Sequence, residues 1–228
     1  MRKAIVTAAF GNDRHRFGKL FSDKLGRWTS GFIAHGEGAS LLAFKELPSD
    51  CPSHLDVPFA FKAYAILAAI RAGFTSVLWA DVSVVAVRSI SPLWAKTEDD
   101  GYWLTDNGNW NCGQWACDTA LPLLGVDREE AFRIPMISGA AFALNFEKEV
   151  AFDFFLRYMA AARDGAFAGP FENSENEASA DPRVLGHRHD QTAASVIAHS
   201  LGMALTKQPC IFAEVAVPTG DTVLVVER

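Results

Sequence analysis

An aspartate directly follows a short apolar stretch of the chain. Residues 75–80 are rich in β-branched and aromatic side chains, Gly73 stands just before them, and Asp81 comes next. This pattern predicts a strand buried on both faces. Because an unpaired buried charge is costly, we expect Asp81 at the carboxyl end of that strand, where open α/β sheets bind ligands. There it can hold a metal ion or a ligand hydroxyl, or alternatively only open a turn.

A second group of reactive side chains precedes an alanine-rich stretch, 192–201, that is predicted to be helical. The sequence there reads Gly186-His187-Arg188-His189-Asp190-Gln191. The imidazole of His189 can bind a metal, Asp190 can act as a ligand or a base, and Arg188 can pair with a phosphate. The alternative is that Asp190 only caps the helix and that both histidines are solvated.

Further side chains can contact a ligand. Lys62 lies in the first turn of a predicted helix, where a cation opposes the helix dipole and can serve an anionic ligand; the alternative is a plain surface lysine. Arg14, in the polar loop after the first predicted strand, can contact phosphates or belong to a solvated basic turn. Residues 101–117 contain three Trp, three Asn and one Gln. This composition suits stacking on a sugar or base, or alternatively a tryptophan-anchored surface loop.

Strand-like and helix-like patterns alternate along the chain. The predicted strands are 4–10, 28–35, 75–80, 134–144 and two runs within 211–226. The predicted helices are 17–25, 59–72, 118–124, 147–163, 192–201 and one that begins at Asp127. Such alternation predicts a single α/β domain over residues 1–228, with a central mixed, mostly parallel sheet and helices on both faces. The GxGxxG and Walker patterns are absent from the sequence, so neither a Rossmann dinucleotide site nor a P-loop is supported.

Composition and charge limit the possible classes of function. Half of the 228 residues are hydrophobic, which allows a substantial core. The net charge of −6 provides no general basic surface for nucleic acid. Continuous apolar runs stay well below ~18 residues, so we expect no integral membrane segment. The cysteines lack CxxC spacing, which favours reduced thiols in a cytoplasmic protein and argues against zinc. They are Cys51, Cys112, Cys117 and Cys210.

The order of these pieces resembles small nucleotide-sugar glycosyltransferases of the GT-A type, especially bacterial and phage-associated ones. The resemblance rests on IVTAAF in the first strand, the helix bearing Lys62, and the segments VLWADVSV, ISGAAFAL and RHDQTAASVIA, from Ala4 to about Met203. It implies a GT-A-like, Rossmann-like fold. It also implies transfer of a sugar from a uridine, guanosine or cytidine diphosphate sugar to an unknown glycan, lipid or protein acceptor.

The resemblance further implies a metal site. In that family an Asp-x-Asp motif at a strand end binds a divalent ion, Mn²⁺ or Mg²⁺, together with the donor diphosphate, and it falls here on Asp81 and Ser83. A serine hydroxyl is a weaker ligand than a carboxylate, so metal affinity is expected to be low or absent, and loss of transfer activity stays open. His189 is implied as a further metal ligand, with His187 as its neighbour. Asp81 and Asp190 are the expected catalytic residues.

The implied donor site lies near Ala8, Phe10 and Asp81, while Gly139 allows an acceptor to lie against the backbone. Negative charge builds on the diphosphate as its bond to the anomeric carbon breaks, so a metal or a fixed cation must neutralise it. Lys62 and Arg188 are the available cations.

Two other classes of function remain compatible with these residues. One is a non-catalytic nucleotide-sugar or carbohydrate-binding protein on the same fold, with Ser83 marking the loss of activity. The other is a metal-dependent catalyst on a different substrate, such as a nucleotidyltransferase or phosphohydrolase. Turnover of a nucleotide sugar, binding without turnover, and cleavage of simple phosphate esters distinguish the three.

Overall fold

The computed structural model describes residues 1–9, 18–46, 49–207, 212–213 and 222–226. The strands within them are β1 Lys3–Ala8, β2 Ser40–Phe44, β3 Ser76–Ala80, β4 Val84–Ala86, β5 Tyr102–Trp103, β6 Asp106–Asn111, β7 Pro135–Ile137, β8 Ala141–Asn145, β9 Phe212–Ala213 and β10 Leu224–Val226. The helices within them are α1 Gly18–His35, α2 Ala60–Arg71, α3 Ser91–Asp100, α4 Ala120–Leu124, α5 Arg128–Ala131, α6 Glu149–Arg163 and α7 His189–Ser200.

The central sheet has five strands in the order β2-β1-β3-β8-β5. Strand β1 pairs in parallel with β2 and β3, whereas β8 runs antiparallel to β3 and β5. The predicted mixed α/β sheet is therefore confirmed, with β8 as the one reversed strand. Because β1 and β3 run in the same direction, their carboxyl ends meet at one edge of the sheet. Asp81 follows β3 at this edge, where its N–H donates to the carbonyl of Ala140 over 2.8 Å.

Helices cover both faces of the central sheet. On β3, Val77 and Trp79 point into the core formed with α2, α6 and α7, whereas Leu78 and Ala80 point into the core formed with α1 and α3. Successive strand residues face opposite sides of a sheet. A strand covered on both sides therefore reads as a continuous apolar run, which is why 75–80 was recognisable in the sequence.

Two local predictions were wrong. Residues 28–35, predicted to be a strand, form the second half of α1. Trp28 and Phe32 are four residues apart, which places them on one helical face, and their rings pack 5.1 Å apart. The predicted single strand 134–144 is divided at Ser138–Ala140, because β7 pairs with β6 whereas β8 joins the central sheet. The helices predicted at 59–72, 147–163 and 192–201 are confirmed, with small shifts at their ends.

No helix among the described residues has both the length and the apolar character needed to cross a membrane. Three of the four cysteines lie in the described residues, and all three are free thiols: Cys51, Cys112 and Cys117.

Helix α1 runs close to the β4 backbone at Gly31. A Cβ atom at this position would lie 2.8 Å from the Ala86 carbonyl oxygen and 2.9 Å from Val85 Cγ1. We expect Gly31→Ala to lower the free energy of unfolding by about 1–3 kcal/mol, because overpacking forces the surroundings to shift. Urea denaturation measures this change. The matched control is Gly26→Ala in the same helix, where a Cβ would meet nothing within 4 Å and should stabilise by up to ~1 kcal/mol. If Gly31→Ala and Gly26→Ala change the free energy of unfolding equally, the close packing of α1 against β4 at Gly31 is contradicted.

Candidate active site

A cleft of about 310 Å³ opens beside the carboxyl end of β3. Its walls come from the N-terminal ends of α2 and α7, from β6, from the connection between β7 and β8, and from Phe171. The cleft brings together residues that are far apart in the sequence, including Lys62, Asp81, Gly139 and Asp190. The two groups of reactive side chains identified in the sequence therefore share one site.

Lys62 joins the two predicted catalytic aspartates. Its Nζ lies 3.2 Å from Asp81 Oδ1 and 3.0 Å from Asp190 Oδ2, and it donates to the Gly139 carbonyl over 2.9 Å. These contacts employ all three hydrogens of the ammonium group. Lys62 is only 3% exposed, so the alternative of a plain surface lysine was wrong. We refer to Lys62, Asp81 and Asp190 as the ion cluster.

The ion cluster depends on where two helices begin. Lys62 lies in the first turn of α2 and Asp190 in the first turn of α7. The predicted capping role of Asp190 was wrong, because Arg188 occupies the N-cap position and makes no side-chain cap bond. The carboxylate of Asp190 instead contacts Lys62. A buried charge without a partner is strongly destabilising, so this ion pair takes precedence over capping of the helix.

Two further side chains orient the carboxylates. Trp79 Nε1 donates to Asp81 Oδ1 over 2.7 Å, and the Tyr158 hydroxyl donates to Asp190 Oδ2 over 3.4 Å. Trp79 could have been found from the sequence, because residues two apart in a strand share a face. Tyr158 could not, since its position on α6 indicated only core packing. Asp81 Oδ2 has no partner among the described residues, and the Asp81 side chain is 32% exposed, so this oxygen can accept from a ligand.

The charges of the ion cluster are coupled. Burial raises the pKa of Asp190 and of Asp81, while attraction to Lys62 opposes this rise. Burial lowers the pKa of Lys62, but the two carboxylates outweigh it and hold that pKa above its usual value. Lys62 is therefore a cation at neutral pH. With both acids ionised the cluster carries one excess negative charge, which favours a ligand that donates hydrogen bonds or a cation.

His187, just before α7, and His189, its first residue, are both buried, so the alternative of solvated rings was wrong. His187 Nδ1 accepts from the Cys117 N–H over 3.4 Å, which leaves Nε2–H to donate to the Ala166 carbonyl over 3.1 Å. His189 Nδ1 bonds to the Phe167 carbonyl over 2.8 Å, and His189 lines the cleft. When Nδ1 carries the proton, Nε2 of His189 is left as an acceptor.

Two of the four non-glycine residues with positive φ in the described part of the chain lie beside this cleft. Phe59, the N-cap residue of α2, has a φ of +62°, and His189 has a φ of +49°. Both residues line the cleft, and their rings lie 5.6 Å apart. Left-handed conformations of non-glycine residues cost roughly 1–3 kcal/mol each and are found preferentially at functional sites. The strain therefore supports a functional role for the cleft.

Of the other predicted site residues, some lie outside the cleft wall and some line it. Ser83 lies in the turn closed by the bond from Val84 N–H to the Asp81 carbonyl, and it is not among the cleft-lining residues. Ala8 ends β1 at the same sheet edge but outside the cleft wall. Phe10 and Arg14 lie outside the described residues. Gly139 and Arg188 do line the cleft.

The predicted metal site is not seen in the described part of the chain. Among the described residues no three His, Cys, Asp or Glu side chains gather into a set that could hold a metal ion. Asp81 Oδ1 and Asp190 Oδ2 contact the ammonium group of Lys62. Of the predicted ligands Asp81, Ser83 and His189, Asp81 is the one with a carboxylate oxygen that has no described protein partner.

Comparison with known proteins identifies similar folds. The chain matches no known family profile and no curated protein by sequence. Among solved structures, it resembles a glycosyltransferase involved in glycosylation of the major capsid of PBCV-1, with a TM-score of 0.55, 11% identity, and coverage of 99% of this chain and 92% of that one. Mouse xyloside xylosyltransferase 1, in its apo form, gives a TM-score of 0.56 at 9% identity, with coverage of 99% and 97%.

A third similar structure is the galactosyltransferase LgtC in complex with donor and acceptor sugar analogues. It gives a TM-score of 0.50 at 11% identity, with coverage of 98% of this chain and 86% of that one. All three structures extend over nearly the whole chain. The fold is therefore GT-A-like, as the sequence resemblance implied.

The buried His187 makes the stability of the protein depend on pH. Burial lowers its pKa from 6.5 to about 3, with the neighbouring His189 adding to the effect. Between these two values the unfolded chain binds more protons than the folded protein, so stability falls as the pH is lowered through this range. We expect His187→Gln to reduce that slope by up to ~1.4 kcal/mol per pH unit. Urea denaturation between pH 4 and 6 measures it.

The matched control for this experiment is His199→Gln, since His199 is exposed in the last turn of α7. An equal slope in the wild type and in His187→Gln would contradict a neutral, buried His187.

Proposed function

We propose that the protein is a glycosyltransferase that transfers a sugar from a nucleoside diphosphate sugar to an acceptor. A GT-A-like fold alone does not determine an activity. The observation that carries the proposal is the ion cluster, in which a buried lysine holds two carboxylates at the sheet edge where such folds bind ligands.

The donor would lie across the carboxyl ends of β1 and β3. We infer that its nucleotide lies toward Ala8 and that its sugar lies over Asp81. The free oxygen of Asp81 suits a hydrogen bond from a sugar hydroxyl.

Asp190 is the candidate proton acceptor for the acceptor hydroxyl. Its raised pKa supports this role, because a base is most effective when its pKa approaches the working pH. Its contacts with Lys62 and Tyr158 would fix the carboxylate in one orientation. Lys62 would act on the reaction by holding both carboxylates rather than by binding the donor, since its three hydrogens already have protein acceptors.

We also propose that a divalent ion binds through one protein carboxylate together with the donor phosphates. Mg²⁺ is often held by one or two carboxylates together with substrate phosphates, and the free oxygen of Asp81 fits such an arrangement. When bound, the ion would neutralise charge on the leaving diphosphate. We retain a cytoplasmic location as a proposal, supported by the free thiols of Cys51, Cys112 and Cys117.

The proposal is tested by following nucleoside diphosphate release from a panel of uridine, guanosine and cytidine diphosphate sugars, with and without Mn²⁺ or Mg²⁺. One donor should be turned over. Asp81→Asn and Asp190→Asn should each lower kcat/KM by about 100-fold or more, because each removes a positioned carboxylate. The control is Asp99→Asn, whose carboxylate is exposed on α3, the helix that packs against the opposite face of the sheet.

Four results would contradict the proposal or its residue roles. If the protein neither binds nor turns over any of the donors, the proposed glycosyltransferase activity is refuted. Binding without turnover would favour a nucleotide-sugar-binding protein, and cleavage of simple phosphate esters would favour a phosphohydrolase. Undiminished turnover in both aspartate variants, with melting temperatures near that of the wild type, would remove the assigned roles.

A further inference from the structure

One cation in the cleft wall is held by aromatic rings. The guanidinium carbon of Arg188 lies 3.9 Å from the ring centroid of Trp115 and 3.9 Å from that of Phe171. The ring of Trp110 is 5.4 Å from the guanidinium carbon and packs against Trp115, with the two ring centroids 4.7 Å apart and the ring planes tilted by 30°. Two aromatic rings therefore lie against the guanidinium, whose N–H groups point outward in its own plane.

The charge of Arg188 is only partly offset by Glu172, which attracts it without forming an ion pair. No carboxylate of the described residues forms an ion pair with it, and the one hydrogen bond from its guanidinium to a described residue goes from Nη1 to the Phe171 carbonyl over 3.3 Å. Partial burial lowers its pKa, which attraction to Glu172 only partly offsets. A guanidinium has five N–H donors. A partly buried guanidinium between aromatic rings, with most of its donors unused, is well suited to bind a carboxylate or phosphate.

An aromatic face lies beside this cation. Trp110 is 37% exposed and lines the cleft together with Asn107. Both belong to the part of β6 that loops away from β7, since the pairing register shifts between Asp106 and Asn111, and Gly108 there has a φ of +67°. Exposed tryptophan faces beside amide groups suit the apolar face and hydroxyls of a sugar ring.

We propose that Trp110, Asn107 and Arg188 form an acceptor subsite for an acidic sugar, one that carries a carboxylate or phosphate. Trp110 would stack on the ring, Asn107 would bind a hydroxyl, and the edge of Arg188 would bind the acid group. This inference rests on the proposed glycosyltransferase function and adds the class of acceptor.

The position of the subsite favours the acceptor over the donor. In the central sheet β1 and β8 lie on opposite sides of β3. The donor nucleotide is expected at β1, whereas Asn107 and Trp110 lie on β6, whose partner β7 leads directly into β8. The sequence-based prediction assigned Arg188 to the donor diphosphate. That ligand has the same anionic chemistry, so the experiment must separate the two sources.

The first arm compares three probes that differ only at C6: glucose, glucuronate and glucose 6-phosphate. Their dissociation constants are measured by ligand-observed NMR titration. We expect the wild type to bind at least one of the acidic probes about 10-fold or more tightly than glucose. Arg188→Gln should bring all three probes to similar affinity, Arg188→Lys should keep part of the preference, and Trp110→Ala should weaken all three.

The second arm titrates uridine, guanosine and cytidine diphosphate into the same variants. The loss in Arg188→Gln should fall on the acidic sugars far more than on the nucleotide. A larger loss on the nucleotide would assign Arg188 to the donor diphosphate and overturn the proposal. So would a wild type without preference for an acidic probe.

Controls separate this inference from the proposed function. Arg133→Gln removes an exposed arginine elsewhere, and melting temperatures of all variants establish that they are folded. A protein that turns over a donor but has no acidic-sugar preference would refute the acceptor subsite alone. A protein that binds and turns over no donor would refute the glycosyltransferase function.

Discussion

A buried ammonium group shared by two carboxylates is the interaction on which the rest of the site depends. Lys62 has to stay charged in a place where burial opposes its charge, and Asp81 and Asp190 make this possible. The requirement is mutual for Asp190, whose buried carboxylate would lack a cation without Lys62. The end of β3 and the first turns of α2 and α7 are thereby fixed relative to one another. The cleft follows from that arrangement.

The same interaction explains features that look unfavourable when considered alone. A lysine in the first turn of a helix opposes the helix dipole, and left-handed backbone at Phe59 and His189 is costly. Both are tolerated because they bring charged and aromatic side chains to the cleft wall. Trp79 and Tyr158 complete the arrangement with hydrogen bonds that set which oxygen of each carboxylate faces inward. The site is therefore preorganised before any ligand binds.

Sequence patterns predicted the strand before Asp81 and the helices bearing Lys62 and Asp190, because buried strands and amphipathic helices have distinct periods. They also identified Asp81 and Asp190 as candidates. They could not predict that Lys62 joins them, since residues 62, 81 and 190 meet only through tertiary packing. For residues 28–35, aromatic and β-branched composition suggested a strand, and the four-residue spacing of Trp28 and Phe32 was the stronger signal. Tyr158 had no local signal, because a core tyrosine and a hydrogen-bonding tyrosine look the same in sequence.

The central claim is that Lys62 and Asp190 are energetically coupled within the ion cluster, and a double-mutant cycle on unfolding free energy tests it most directly. The cycle compares Lys62→Met, Asp190→Asn and the double variant by urea denaturation at pH 7. Lys62→Met alone should cost about 3–5 kcal/mol, because it leaves buried carboxylates without a cation. The double variant should be more stable than the two single losses imply, by about 0.5–3 kcal/mol. Losses that add to within ~0.5 kcal/mol would contradict the claim.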